Sequence, residues 1–334
     1  MERAGGDRLK ATAEARANIA LVKYWGQADA KLNLPLTDSL SMTVDKLVTT
    51  TTVEADPALK ADTLAINGVA QQGAPLARAS RHMDRLRERA KNELRCRIAS
   101  TNSFAASAGM ASSASGFAAL TVAGLAALGV QAAEREMTTL ARLGSGSAAR
   151  SIHGGFVAWH AGPTHESSFA EQVAPPSQVD LHDVVVVLSE GEKKVGSAEG
   201  HGLAGTSPLN AGRVARVPHL LAEVRAGLAA RDVARIGRAA EEDAILMHAV
   251  MMTSTPSLLY WSEGTVAGLH AVRAWREDGL GVWATIDAGP NLHLLCAGRD
   301  APEVARRARE MLSPASVVDC APGEGARLLT RHLF

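Results

Sequence analysis

Residues 107–120, SAGMASSASGFAAL, constrain the fold of this chain more than any other stretch. A glycine and several small side chains run without a break into an apolar segment, and the spacing predicts a helix over 113–128. The apolar run from Phe117 to Val130 falls short of the roughly 18 residues that a membrane span needs. Rich in Ala and Gly, it suits a helix buried among other elements. Such a loop opening a helix has two readings. One is a tightly packed, N-capped helix start. The other is a cradle in which backbone N–H groups and the positive end of the helix dipole hold a phosphate. In that case the hydroxyls of Ser112, Ser113 and Ser115 would serve phosphate oxygens or Mg²⁺. Two better-known nucleotide fingerprints do not compete. No G-x-x-x-x-G-K-[ST] occurs, and GSGSAA at 144–149 follows a helical pattern rather than the strand that a dinucleotide loop requires.

Strand and helix patterns alternate around this segment, which predicts an α/β (α+β) chain. Strands are expected at Asn18–Trp25, at the Thr/Val-rich run Leu47–Ala55, and at Asp183–Leu188, Gly281–Ile286, Leu292–Cys296 and Val317–Cys320. Helices are expected at Ser80–Arg95, at Arg135–Leu143 and near Pro302–Leu312. From Gly212 to Asp278 the pattern is largely helical, interrupted at Pro218 and at residues 254–256. The Pro-Pro pair at 175–176 marks the seam of two lobes, 1–178 and 179–334.

Composition limits the partners. With Lys plus Arg at 35 and Asp plus Glu at 35, the chain has no net field to attract nucleic acid or an anionic membrane. In the Arg-rich stretch 81–97, Asp84, Glu88 and Glu93 interleave with the arginines as on a salt-bridged, solvated face. An anionic ligand must therefore be held locally. Cys96, Cys296 and Cys320 lie far apart and read as buried thiols in a reducing compartment. The first ten residues carry no apolar signal region, so a cytoplasmic protein is expected. The eleven histidines form no zinc spacing; His248, beside Met247, reads as a core or cleft-lining residue.

Three residues carry candidate chemistry, each with a plainer alternative. Asp287 ends an apolar strand and precedes a stiff Ala-Gly-Pro-Asn turn. It is either a positioned base or a turn-forming Asp bonded to its own backbone. Arg150 closes the small-residue run GSGSAAR and is either a fork for an anion or a surface arginine. Lys23 stands between Val22 and Tyr24 in an apolar strand, so it either pairs with an acid or reaches solvent from a sheet edge.

In order, the segments NIALVKYWG (18–26), LPLTDSLSMT (34–43), GMASSASGFAAL (109–120), RLGSGSAARSIHGGF (142–156), MHA (247–249) and DAGPN (287–291) resemble the diphosphomevalonate decarboxylases of the GHMP kinase superfamily. The resemblance implies a two-lobed GHMP kinase fold, with a ribosomal-protein-S5-like N-terminal lobe, a ferredoxin-like C-terminal lobe and a cleft between them. It implies ATP-dependent phosphorylation of the 3-hydroxyl of mevalonate 5-diphosphate, then loss of phosphate and CO₂ to give isopentenyl diphosphate. Asp287, Arg150 and Lys23 would be catalytic. ATP would lie over Asn102, Gly109, Met110, Ala111, Ser112, Ser113 and Ser115, with Mg²⁺ at Ser112 and Ser113. Substrate would meet Asn18, Tyr24, Trp25, Ser145, Gly146, Ser147 and Arg150. Members of the family are often homodimers.

Some positions depart from the family pattern. Gln27 stands where KYWGK is common, Ala198 where bacterial members often carry arginine, and Ala105 where a proline is usual. Two cations fewer near the substrate's terminal phosphate would suit a phosphomevalonate decarboxylase making isopentenyl phosphate. A mevalonate 3-kinase that stops after phosphorylation is a further alternative, and so is a binding protein without catalysis. Against the last two stand Asp287, Lys23 and Arg150, all present.

Overall fold

A computed structural model describes residues 9–104, 112–188 and 196–334. The chain opens with a long strand, β1 (Lys10–Val22), then the short β2 (Gln27–Asp29) and β3 (Leu34–Pro35), the long β4 (Ser39–Ala55), β5 (Thr63–Ile66) and β6 (Val69–Ala70). Next come α1 (Gly73–Ala90), β7 (Cys96–Asn102), α2 (Ser112–Ala127), α3 (Glu134–Gly144), a 3₁₀ turn at Gly146–Ser151, β8 (Phe156–Trp159) and β9 (Ala170–Ala174). The remainder is β10 (Leu181–Val187), α4 (Ser197–Leu203), α5 (Asn210–Ala230), α6 (Val233–Met252), α7 (Glu263–Glu277), β11 (Val282–Thr285), β12 (Leu292–Ala297), α8 (Ala301–Leu312), β13 (Ser316–Cys320) and β14 (Arg327–Leu329).

Two sheets result. The first is ordered β14-β1-β4-β7-β5-β6, with β8 branching from β4 and β9 pairing with β8. The second runs β11-β12-β10-β13 and is antiparallel throughout. With α5, α6 and α7 after β10 and α8 after β12, it is the βαββαβ arrangement of a ferredoxin-like lobe. The last strand crosses back: Thr12 of β1 pairs with Leu329 of β14, so both ends of the chain build the first sheet.

Packing explains the layers. Helix α2 is apolar on every side, and it is covered on every side. Ala118, Ala119, Leu120, Ala123 and Leu125 join Met83 and Leu86 of α1, Leu140 of α3 and Ala13, Ala15 and Val53 of the sheet in one core. A second core lies between the sheets, where Ile19, Leu21 and Met42 meet Val185 and Leu295 through Val217, Leu220 and Val224 of α5 and Ile236 and Ala240 of α6. A third holds α7 and α8 against the outer face of the second sheet. All three cysteines are buried and free, as expected.

Several boundaries differ from the sequence expectation, each for a physical reason. The first strand starts at Lys10 rather than Asn18 and ends at Val22, so Lys23 lies just beyond it. The Thr/Val-rich run predicted only the second half of β4; the first half is buried on both faces, its Ser and Thr residues included, where it pairs with β1 and β8. Helix α1 begins at Gly73, seven residues before Ser80, and ends where Lys91 turns left-handed at φ 50°. Pro218 does not interrupt its helix. It sits inside α5, where buried Val217, Leu220 and Val224 outweigh the one backbone bond that proline removes. Among the described residues, no helix is long and apolar enough to cross a membrane.

Candidate active site

The long strand β1 delivers the first functional group. One residue past its end, the Lys23 side chain is almost fully enclosed, and a buried ammonium needs a partner. Its Nζ lies 2.8 Å from Oδ1 of Asp287, whose side chain keeps 34% of its surface exposed. The pairing alternative is therefore the one the structure adopts. Asp287 comes two residues after β11 ends, at the start of the predicted tight turn, where the Gly289 N–H donates to the Asp287 carbonyl at 2.7 Å.

A feature that the sequence did not disclose holds Lys23 in place. Its backbone N–H donates to the Asp243 carboxylate, and its carbonyl accepts from Arg213 Nη2 at 2.9 Å. Arg213 and Asp243 form an ion pair of 3.1 Å buried between α5 and α6. Spacing gives no hint of it, because the two residues stand thirty positions apart on separate helices.

Arg150 lies in the 3₁₀ turn and is buried, so the reading of it as a surface arginine is set aside. Its Nε donates to Asn18 Oδ1 at 3.2 Å and its Nη1 to Ser39 Oγ at 2.6 Å. Asn18 in turn donates to the Ser147 carbonyl at 3.1 Å and to Ser151 Oγ at 2.8 Å. One edge of the guanidinium is thus fixed by β1, β4 and its own turn. Burial lowers the Arg150 pKa to about 10, against the opposing pull of the Asp287 charge. The group stays cationic at neutral pH, with Asp287 close enough to act on it.

Tyr24 is the wall between these groups. Its ring meets the edge of Trp159 at a centroid distance of 4.6 Å and stacks on His201 at 4.0 Å, while its hydroxyl accepts from Gln27 Nε2 at 2.9 Å. Burial pushes its pKa up to about 12, so the phenol remains a donor. Gly146 has to be glycine, since a Cβ there would stand 2.6 Å from the Tyr24 ring. Trp25 is buried in an apolar cluster with Met247, Val250, Met251, Leu258 and Ala288. His248 is buried beside Trp261, and burial together with the Lys23 charge lowers its pKa to about 4.

The serine helix abuts the same region. Ser145, which caps the end of α3, donates to Ser113 Oγ at 3.2 Å and joins the Gly-Ser-Gly turn to the first turn of α2. Ser115 is fully buried and shares a hydrogen bond of 2.7 Å with Thr49, whose hydroxyl donates to Asn102 Oδ1 at 2.8 Å. Those two expected nucleotide residues tie α2 to β4 and β7. Ser112 opens α2, while Gly109, Met110 and Ala111 lie outside the described residues.

Lys23, Asp287, Arg150, Tyr24 and the Ser113–Ser145 pair thus surround one region between the two sheets. The chain resembles known proteins along most of its length. Residues 15–170 match the diphosphomevalonate decarboxylase-like N-terminal domain, and residues 183–327 the mevalonate 5-diphosphate decarboxylase C-terminal domain. A diphosphomevalonate decarboxylase of Ganoderma lucidum is 37% identical over 308 residues, covering 84% of this chain and 77% of its own length. A phosphomevalonate decarboxylase of Haloferax volcanii is 32% identical over 86% of this chain and 88% of its own. A solved structure described as MDDEF in complex with MVAPP, AMPPCP and magnesium superposes with a TM-score of 0.92 at 34% identity, covering 97% of this chain and 99% of that one. With matches that run from the first sheet to the last strand, the chain belongs to the diphosphomevalonate decarboxylase family, enzymes of the GHMP kinase fold.

Proposed function

We propose that this protein converts mevalonate 5-diphosphate and ATP to isopentenyl diphosphate, ADP, phosphate and CO₂. The observation that carries the reading is the Lys23–Asp287 ion pair of 2.8 Å beside the buried Arg150. Asp287, the most exposed of the three, takes the proton of the tertiary hydroxyl as that oxygen attacks the γ-phosphoryl of ATP. Lys23, clamped from behind by Arg213 and Asp243, holds the carboxylate in position. Arg150 keeps its Nη2 uncommitted among the described residues and binds the substrate carboxylate. The carbon–carbon bond to that carboxylate then breaks, its electrons form the new double bond, and phosphate leaves with the pair from the carbon–oxygen bond. Asn18 orients Arg150. Tyr24, Ser145, Gly146 and Ser147 form the substrate wall, with Trp25 behind it. The start of α2 with Ser112 and Ser113 receives the ATP phosphates, over Ser115 and Asn102.

Among the described residues no group of three or more His, Cys, Asp or Glu side chains could hold a metal. Mg²⁺ would be bound chiefly by nucleotide phosphates and water with one or two protein oxygens, here Ser113 and Ser112. When bound, the ion neutralises charge on the phosphates. The reading includes a cytoplasmic location, which three buried free thiols suit, and a homodimer, which light scattering would test.

Measuring ADP and CO₂ together tests the activity. Equimolar release supports it, ADP without CO₂ shows a 3-kinase, and neither product refutes catalysis. One observation favours a second reading. The Gln27 amide is committed to Tyr24 and, at 3.0 Å, to Asn33, and it brings no positive charge to that end of the wall. A kcat/KM higher for mevalonate 5-phosphate than for the 5-diphosphate would make the protein a phosphomevalonate decarboxylase.

A further inference from the structure

Helix α4 touches the substrate wall at one polar point. The Gly26 N–H donates to Nδ1 of His201 at 3.1 Å, and the His201 ring lies 4.0 Å from the ring of Tyr24 and 4.6 Å from that of Trp25. Gly26 turns with φ +93°, a left-handed conformation that places its N–H on the α4 side. The helix backbone comes equally close, since a Cβ on Gly200 would stand 2.6 Å from the Trp25 ring. Among the described residues no other hydrogen bond joins α4 to residues 24–26.

We propose that His201 is a positioning residue for substrate: as a neutral hydrogen-bond acceptor and ring platform it fixes the Tyr24–Gly26 turn, and with it the Tyr24 face of the site. This rests on the decarboxylase reading, which places substrate against Tyr24. The hydrogen bond dictates the tautomer. Nδ1 accepts, so the proton is on Nε2. Burial, together with the Arg213 and Arg150 charges, holds the His201 pKa down to about 3, so the imidazole stays neutral throughout the working range. A protonated ring would lose the Gly26 bond and set a third cation near Arg150 and Arg213. Tyr24 is then held on three sides, by Trp159 at its edge, His201 on its face and Gln27 at its hydroxyl.

Two variants separate the acceptor from the ring. His201→Asn keeps an acceptor oxygen near the Nδ1 position and gives up the stack. His201→Phe keeps a ring and strands a buried N–H, a loss that corresponds to roughly ten-fold or more in binding. We expect His201→Phe to raise KM for mevalonate 5-diphosphate about ten-fold, with kcat within about three-fold and KM for ATP unchanged, and His201→Asn to recover most of that loss. Should His201→Phe fail to fold, His201→Asn and His201→Ala carry the same comparison, with Asn binding substrate more tightly than Ala. Wild-type substrate KM in His201→Phe, or equal rises in both KM values, overturns the assignment. Absence of CO₂ release by the wild-type protein overturns the decarboxylase reading instead.

Discussion

Asp243→Ala tests the clamp behind Lys23. In the native protein Asp243 accepts from the Lys23 backbone N–H and pairs with Arg213, and both members of the pair are buried. Arg213 has little else to fall back on, because among the described residues its buried Nε and Nη1 have no hydrogen-bond partners. Removing the carboxylate leaves a buried guanidinium uncompensated, which costs about 3–5 kcal/mol. The stranded Lys23 N–H contributes part of the same loss, about 1–3 kcal/mol when counted alone. The two overlap, so about 4 kcal/mol is expected. At roughly 2–4 °C per kcal/mol for a large domain, the melting temperature should fall by about 10 °C. Circular dichroism melts of three variants make the reasoning specific. Asp243→Asn, which keeps an acceptor for Lys23, should lose less than Asp243→Ala. Arg213→Met combined with Asp243→Leu should recover at least half of the loss, because no buried charge is then left alone. A drop of less than 2 °C in Asp243→Ala, or a double variant no more stable than Asp243→Ala, would refute the buried-pair argument.

Asp287→Asn should abolish CO₂ release while ATP affinity, measured by calorimetry, stays within a few-fold, since it removes a base and not a phosphate contact; normal turnover would exclude Asp287 as the base. Arg150→Ala should lower kcat by about 10²-fold or more, as loss of a buried electrostatic stabiliser does, and a near-native rate in a stopped assay would place Arg150 outside the reaction. The pH dependence of stability has a definite sign. Burial depresses the pKa of His82 and His201 to about 3 and of His248 to about 4. Their contribution is therefore fully present above the unfolded value of about 6.5 and is lost as pH falls toward the folded values, by roughly 2 kcal/mol per histidine at pH 5. Melting temperatures from pH 8 to pH 5 should fall steadily, and a flat profile would show that these imidazoles charge without penalty.

Much of this protein is written locally. The serine run into an apolar helix predicted α2, and burial on every side followed because such a helix has no polar face to offer water. Lys23 in an apolar context predicted a partner, and Asp287 before a Gly-Pro turn predicted a fixed carboxylate. Their order along the chain, with GSGSAAR and the serine loop, carried the resemblance to the decarboxylases. The full length of β4 was not legible, because β-branched content marked only its second half, while the first is buried on both faces by long-range pairing.

The tertiary structure alone decided which groups meet. Lys23 and Asp287 are 264 residues apart and touch only because β1 of the first sheet and the end of β11 of the second converge on one region. The Arg213–Asp243 clamp and the His201 contact with Gly26 depend on how α4, α5 and α6 pack against β1, which no local spacing encodes. Sequence sets what each segment prefers and which groups it carries, since those preferences act over a few residues. Partners, burial and charge state are set by long-range packing, and they turn residues with plain alternatives into a site.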